Sequence, residues 1–299
     1  PGPNACRANS GRDAKQTLHY MNLMNAFATL LDRLILSPQR SVKLKLLKDY
    51  FRSTSDPERG FALGVIAGVT RPSGARPSVL KAMAASRVDP ELFALSYDYV
   101  GDLAETIALI WPSPARPLPA PSLTEVMERL AQMRAKDAPT EVALWLDGLD
   151  AGGRWALLKI CTGGLRIGAG ARLAKQALAD LAAKPIEDIE EVWTDVEPPY
   201  VDLFAWIEGK AERPRPRGMA SFRAVMLAHP FHLSDVAHTS PDAFAIEWKW
   251  DGVRVQAVAR GGERRLFSRT GEEVSAAFPD LLAALSFNGV LDGELLVAT

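Results

Sequence analysis

The hydrophobic pattern of this chain changes period once, at Arg213-Pro214-Arg215-Pro216-Arg217-Gly218. Alternating prolines fix φ and remove backbone donors, so this basic stretch fits neither a helix interior nor a central strand and reads as an interdomain linker. Before it, apolar residues recur at helical spacing. Phe27, Leu30, Leu31 and Leu34 fall at i, i+3, i+4 and i+7, and Leu103, Ile107, Ile110 and Trp111 repeat the stripe. After it the period drops to two: Val253, Val255 and Ala257 alternate with Arg254 and Gln256, and Gly261-Gly262 makes a hairpin turn into Glu263 to Ser268. One chain therefore holds an all-α part and an α+β part.

The expected layout is an irregular extension over residues 1–20, an all-helical domain over 21–208, a linker over 209–223 and an α+β domain over 224–299. Ser37-Pro38, Asp56-Pro57 and Asp89-Pro90 suit helix starts, and the five prolines from Pro112 to Pro121 require a loop between helical groups. In the α+β part, strands are expected from Phe244 to Trp250 and from Leu291 onward, with a short helix from Ser275 to Leu285. Both ends read as cut, since the chain starts at Pro1 without periodic structure and its last strand stops without a turn. The expectation is a piece of a longer protein. A hydrophobic content of 47% fills real cores, and a net charge of −1 confines any nucleic-acid surface to a local patch. Cys6 and Cys161 lie far apart without metal-like spacing, which suits a reducing, cytoplasmic setting. No apolar run approaches the roughly 18 residues of a membrane span.

Glu247-Trp248-Lys249-Trp250-Asp251-Gly252-Val253-Arg254 carries the chemistry. A lysine amine attacks a phosphate only when unprotonated, so positive charge beside it has to depress its pKa, and Arg254 stands five positions on. Asp251-Gly252 suits a tight turn and a close backbone approach to a nucleotide. On a strand Glu247 and Lys249 share a face, and Trp248 and Trp250 are expected in the core. Ser268-Arg269-Thr270-Gly271-Glu272 and Leu291-Asp292-Gly293-Glu294-Leu295 follow in order, the latter turning two acids to one side of a strand.

A second constellation lies in the helical part. From Trp155 to Ala179 the charged residues are Lys159, Arg166, Arg172 and Lys175, with no acid. Thr162-Gly163-Gly164-Leu165-Arg166-Ile167-Gly168-Ala169-Gly170 leads into a helix, where glycine-freed amides and flanking cations suit an anion, with contact to a phosphate backbone as the natural use.

The first set is the Lys-x-Asp-Gly-x-Arg signature of covalent nucleotidyltransferases, and all these residues together resemble the ATP-dependent DNA ligases of bacterial type with eukaryotic-ligase-like architecture. Gly163 to Gly168 is similar to the backbone-gripping segment of that family's N-terminal DNA-binding domain, and Met226-Leu227-Ala228 to the segment preceding its catalytic domain. The resemblance implies a multidomain fold: an all-α N-terminal DNA-binding domain followed by an incomplete α+β adenylation (nucleotidyltransferase) domain. It implies that Lys249 is the nucleophile, that Glu247 selects adenine, that Arg254 contacts the ribose and the DNA end, that Arg269 orients phosphate, and that Glu294 holds the ribose or a metal. Gly163, Gly164, Arg166, Gly168, Arg172 and Lys175 would bind DNA. ATP and Mg²⁺ would be the cofactors, nicked double-stranded DNA the partner, the protein a monomer and no membrane involved. The family's fourth and fifth motifs and its OB domain would lie beyond Thr299, so the 299-residue piece is expected to seal nicks poorly. An RNA ligase or capping enzyme shares the lysine motif, and a non-catalytic DNA-binding fragment is the alternative from another class.

Overall fold

The structure, a computed structural model, describes residues 23–69, 75–116, 118–216, 218–226, 230, 232, 234, 238, 240–243 and 247–296. It divides into two units: residues up to Ala182 together with Pro198–Ile207, and Ala183–Glu197 together with Glu208–Thr299.

The first unit is helical throughout its described residues: α1 (Leu23–Leu36), α2 (Arg40–Ser53), α3 (Glu58–Ala67), α4 (Pro77–Ala85), α5 (Pro90–Val100), α6 (Leu103–Ile110), α7 (Leu123–Gln132), α8 (Ala138–Gly148), α9 (Ala151–Thr162), α10 (Ala171–Ala182) and α12 (Val201–Ile207). The first stripe seen in the sequence is a buried face, and the second is buried at Ile107 and Trp111 and half-buried at Leu103 and Ile110. Phe27, Leu31 and Leu34 are fully buried and Leu30 nearly so, as are Ile107 and Trp111. Aromatic rings join these helices: Phe27 meets Tyr50 at 6.2 Å, Tyr50 meets Phe51 at 6.1 Å, and Phe51 meets Phe204 of α12 at 5.6 Å. Such tilted and edge-on pairs add about 0.5–1.5 kcal/mol each beyond the area they bury.

Among the described residues, Asn25 Oδ1 and the Tyr50 hydroxyl are buried in this core without a hydrogen-bond partner, whereas Glu58 enters it fully partnered. The buried carboxylate of Glu58 accepts from the amides of Leu123 (2.8 Å) and Thr124 (3.0 Å) and from the Thr124 hydroxyl (2.6 Å). It thereby caps α7 from another helix and joins two segments distant in sequence. Of the three expected Pro-marked starts, only Asp89 caps with its side chain, accepting from the amides of Glu91 and Leu92. Asp56 instead grips Arg59 through two bonds of 2.8 and 2.7 Å.

In the second unit α11 (Ile186–Trp193) precedes the strap of prolines, and β1 (Val253–Arg260), β2 (Glu263–Ser268), α13 (Pro279–Ala284) and β3 (Gly289–Leu295) follow. The helix expected from Ser275 to Leu285 is a 3₁₀ turn, Ser275–Ala277, followed by α13. Helix α11 belongs to this unit although its period is that of the helices before it. Arg213 of the strap pairs with Glu191 of α11 at 2.8 Å, and Arg223 approaches the same carboxylate at 3.8 Å.

The sheet is antiparallel in the order β2-β1-β3. Gly261 and Gly262, at φ 58° and 84°, make the tight turn between β1 and β2, as the double glycine predicted. Both faces are covered. Ala257 and Leu266 on one side pack with Leu285 and half-buried Val274, Phe278 and Leu282. Val258 and Phe267 on the other pack with Ala220 and Phe222. Residues 220–226 are thus part of the wall of this unit, and Gln256 fastens them. Its buried amide oxygen accepts from the Arg223 N–H (2.7 Å), and its amide nitrogen donates to the Arg223 carbonyl (3.0 Å).

The expected strand from Phe244 to Trp250 does not form in its described part. Residues 247–250 are irregular, while Phe244 to Ile246 lie outside the described residues, as do Leu227 and Ala228. Trp248 and Trp250, expected in the core, are 83% and 59% exposed. With no strand at 247–250, the alternation that would have turned them inward is lacking. No helix among the described residues is long and apolar enough to cross a membrane.

Candidate adenylation and DNA-binding sites

The register of the sheet brings the ordered sequence signatures to one end. Val255 of β1 stands between Ser268 of β2 and Gly293 of β3, and Arg254 stands opposite Glu294. Partners directly opposite in an antiparallel pair share a face, so Arg254, Asp292 and Glu294 project together. The Arg254 guanidinium donates twice to Asp292 (3.0 and 2.6 Å) and once to the Met226 carbonyl (2.8 Å). The bonds to Asp292 hold the Arg254 pKa above its ordinary value, so its charge is permanent. Glu294 accepts from the Gly252 N–H at 3.1 Å, tying the first signature to the third.

Gly252 is required here for a reason other than the expected turn. Its φ is not positive, but a Cβ at this position would lie 2.4 Å from the Leu295 carbonyl oxygen and 2.7 Å from the Leu296 side chain. The close backbone approach allowed by this glycine is to β3. The second signature forms a true turn. Gly271 N–H donates to the Ser268 carbonyl (3.0 Å) with Gly271 at φ 80°, and the Ser268 hydroxyl accepts from the Thr270 and Glu272 amides. Arg269 stands exposed at its tip.

Lys249 and Glu247 are exposed and precede β1 by a few residues; among the described residues no hydrogen bond or ion pair reaches the Lys249 amine. No group of three or more Asp, Glu, His or Cys side chains among the described residues could hold a metal ion. Any cation at Asp292 and Glu294 would thus need further oxygens from a bound nucleotide, the manner in which Mg²⁺ is ordinarily held.

In the first unit the glycine segment links α9 to α10. Gly163 ends α9 in the left-handed conformation (φ 68°), donating to the Lys159 carbonyl, and Gly168 is left-handed again (φ 61°). Arg166 and Arg172 are exposed. Two of the four expected cations are not on that surface: Lys175 is buried within α10, and Lys159 pairs with Asp102 at 2.5 Å. Two cations of α2, which no local pattern indicated, lie beside the segment, Arg40 exposed and Lys43 buried against the Ile167 and Gly168 carbonyls. Arg40 and Lys43 line a pocket of about 590 Å³ with Gly168, Ala169, Gly170 and Arg172, and no acid is among its lining residues.

Residues 225–299, the stretch that contains the sheet and all three signatures, match the family model of the ATP dependent DNA ligase domain. Over this stretch the chain is similar to the ATP-dependent DNA ligases. The ligase relationship extends further toward the N-terminus. A protein named "Probable DNA ligase" from Anaeromyxobacter sp. (strain Fw109-5) is 33% identical over 217 residues, covering 66% of this chain and 40% of that protein. A "Probable DNA ligase" from Rhodococcus opacus (strain B4) is 31% identical over 150 residues, 48% of this chain and 30% of that protein. A "DNA ligase" from Methanococcoides burtonii is 30% identical over 134 residues, 44% and 24% of the two. The chain therefore spans less than half the length of these curated ligases.

Proposed function

We propose that this chain is the DNA-binding and nucleotide-attaching part of an ATP-dependent DNA ligase that seals nicks through a lysyl-AMP intermediate. The observation that carries the reading is the convergence of Gly252, Arg254, Ser268, Asp292 and Glu294 at one end of a three-stranded sheet, with Lys249 three residues before Gly252. Lys249 attacks the α-phosphate of ATP, a P–N bond forms, and pyrophosphate leaves. The AMP passes to the 5′-phosphate at a nick, and the 3′-hydroxyl then displaces AMP as the strand closes. Arg254, fixed by Asp292 and the Met226 carbonyl, is a preorganised cation for the phosphates, and preorganised charge is a large source of rate in such transfers. Arg269 supplies a second cation from its turn, Glu294 meets the ribose, and Glu247 reads the base. A Mg²⁺ ion held between nucleotide oxygens and Glu294 would neutralise developing charge. The glycine segment with Arg166 and Arg172 takes the DNA backbone. The chain acts as a monomer on nicked duplex.

The exposure of Lys249 favours one rival, a DNA-binding chain that does not adenylate itself. Incubation with α-labelled ATP and Mg²⁺, followed by denaturation, separates the two. Label that survives and is lost in Lys249→Ala supports the ligase chemistry, whereas nick binding without label establishes the rival.

A further inference from the structure

We infer that Lys43 is a positioning residue for DNA binding, aiming two backbone amides of the glycine segment at a phosphodiester. The inference rests on the reading of that segment as the DNA-backbone site. Lys43, a residue only 9% exposed, donates through its ammonium to the carbonyls of Ile167 (3.2 Å) and Gly168 (2.9 Å), about 125 residues away in sequence. The two peptides that carry these carbonyls are trans. In a planar trans peptide C=O and N–H point in opposite directions, so the Gly168 and Ala169 amides are turned away from the buried ammonium. Neither amide has an acceptor among the described residues.

The arrangement admits little slack. A Cβ on Gly168 would lie 2.3 Å from the lysine nitrogen, and Gly168 is itself in the left-handed region at φ 61°, so both the missing side chain and the conformation are needed to seat the cation. A lysine seldom sits this deep unless its charge is compensated. Here two carbonyl dipoles compensate it in part, and the remaining positive potential lies beneath the two outward amides and between Arg40 and Arg172. Lys43 therefore acts through the loop, while Arg40 and Arg172 are placed to meet phosphate directly.

Fluorescence anisotropy with a labelled nicked duplex over a salt series, on the whole chain and on Lys43→Met and Lys43→Arg, tests this. Lys43→Met is expected to weaken binding about tenfold, the scale of a hydrogen bond to a charged group. The slope of log Kd against log salt should change by well under one, and Lys43→Arg, which keeps the donors, should restore affinity. A slope lowered by about 0.9 would make Lys43 itself a phosphate contact and overturn the positioning role. Unchanged affinity in a folded Lys43→Met overturns it too, while leaving the DNA-binding reading intact. Failure of the unaltered chain to bind any duplex removes that reading and this inference with it. Should Lys43→Met fail to fold, the unaltered chain decides: its Gly168 and Ala169 amide resonances must shift on titration with nicked duplex, and resonances that stay put refute the inference.

Discussion

Substituting Gly252 separates two physical reasons for a glycine after Asp251. If the position served a left-handed turn, asparagine would be tolerated better than alanine, because asparagine enters that region at low cost. The structure argues for close packing instead, since Gly252 has no positive φ and an added Cβ would stand 2.4 Å from the Leu295 carbonyl oxygen. Ordinary carbon–oxygen contacts begin at about 3.3 Å, so β1 and β3 would have to part by roughly 1 Å at this end. Overpacking of that kind costs about 1–3 kcal/mol. It falls on the pair Val253–Leu295 and on the bond from the Gly252 N–H to Glu294. Hydrogen exchange of residues 250–256 and 289–296, read by mass spectrometry, should therefore quicken roughly 5- to 150-fold in Gly252→Ala. Gly252→Asn, with a larger side chain against the same oxygen, should exchange at least as fast. Slower exchange in Gly252→Asn than in Gly252→Ala, or unchanged exchange in both, would refute the packing argument.

Arg254→Lys keeps the charge but loses the fork that grips Asp292 while reaching the Met226 carbonyl, and covalent labelling of Lys249 should fall roughly tenfold; labelling at the full rate would show that the fork is dispensable. Burial of Asp102 pulls its pKa up, but the hydrogen bonds from Lys159 and the Glu105 and Ala104 amides outweigh this and hold it below the ordinary carboxylate range. Its contribution to stability is thus present above the unfolded value of about 3.9 and is lost as pH falls through the lower folded value. Melting curves between pH 6 and 3 should show part of their acid sensitivity vanish in Asp102→Asn, and an unaltered profile would discount the pair. Burial pushes the Cys161 thiol up to about 12, so iodoacetamide at pH 8 should modify it only after the helical unit is unfolded; rapid labelling of the Cys161 peptide, read apart from that of Cys6, in the folded chain would contradict its burial.

What the sequence made legible is what local pattern encodes. Helical stripes such as Phe27-Leu30-Leu31-Leu34 became buried faces, and Gly261-Gly262 became the hairpin turn, because neighbours along the chain decide each. The signatures around Gly252, Ser268 and Glu294 came together because alternating strands joined by a tight turn have few registers that keep Val255, Ala257 and Leu266 buried. What stayed hidden depends on distant partners. Lys159 reads as free positive charge until Asp102, 57 residues away, is seen to take it. Arg40 and Lys43 carry no motif, and only tertiary packing places them beside Gly168. Gln256 alternates like an outward polar residue, but residues 220–226 cover that face and bury it.

The paired bonds between Gln256 and the main chain of Arg223 distribute constraint unevenly over the two positions. One partner contributes only peptide groups, so these two bonds leave position 223 open to any residue other than proline, which lacks the N–H. The other contributes a donor and an acceptor at one fixed reach from its strand. Glutamate would present no donor, asparagine would fall short by a carbon–carbon bond, and leucine would leave both peptide groups unsatisfied. A designer rebuilding this wall could rewrite residue 223 at the cost of its contact with Glu191, yet would have to carry over a glutamine at position 256.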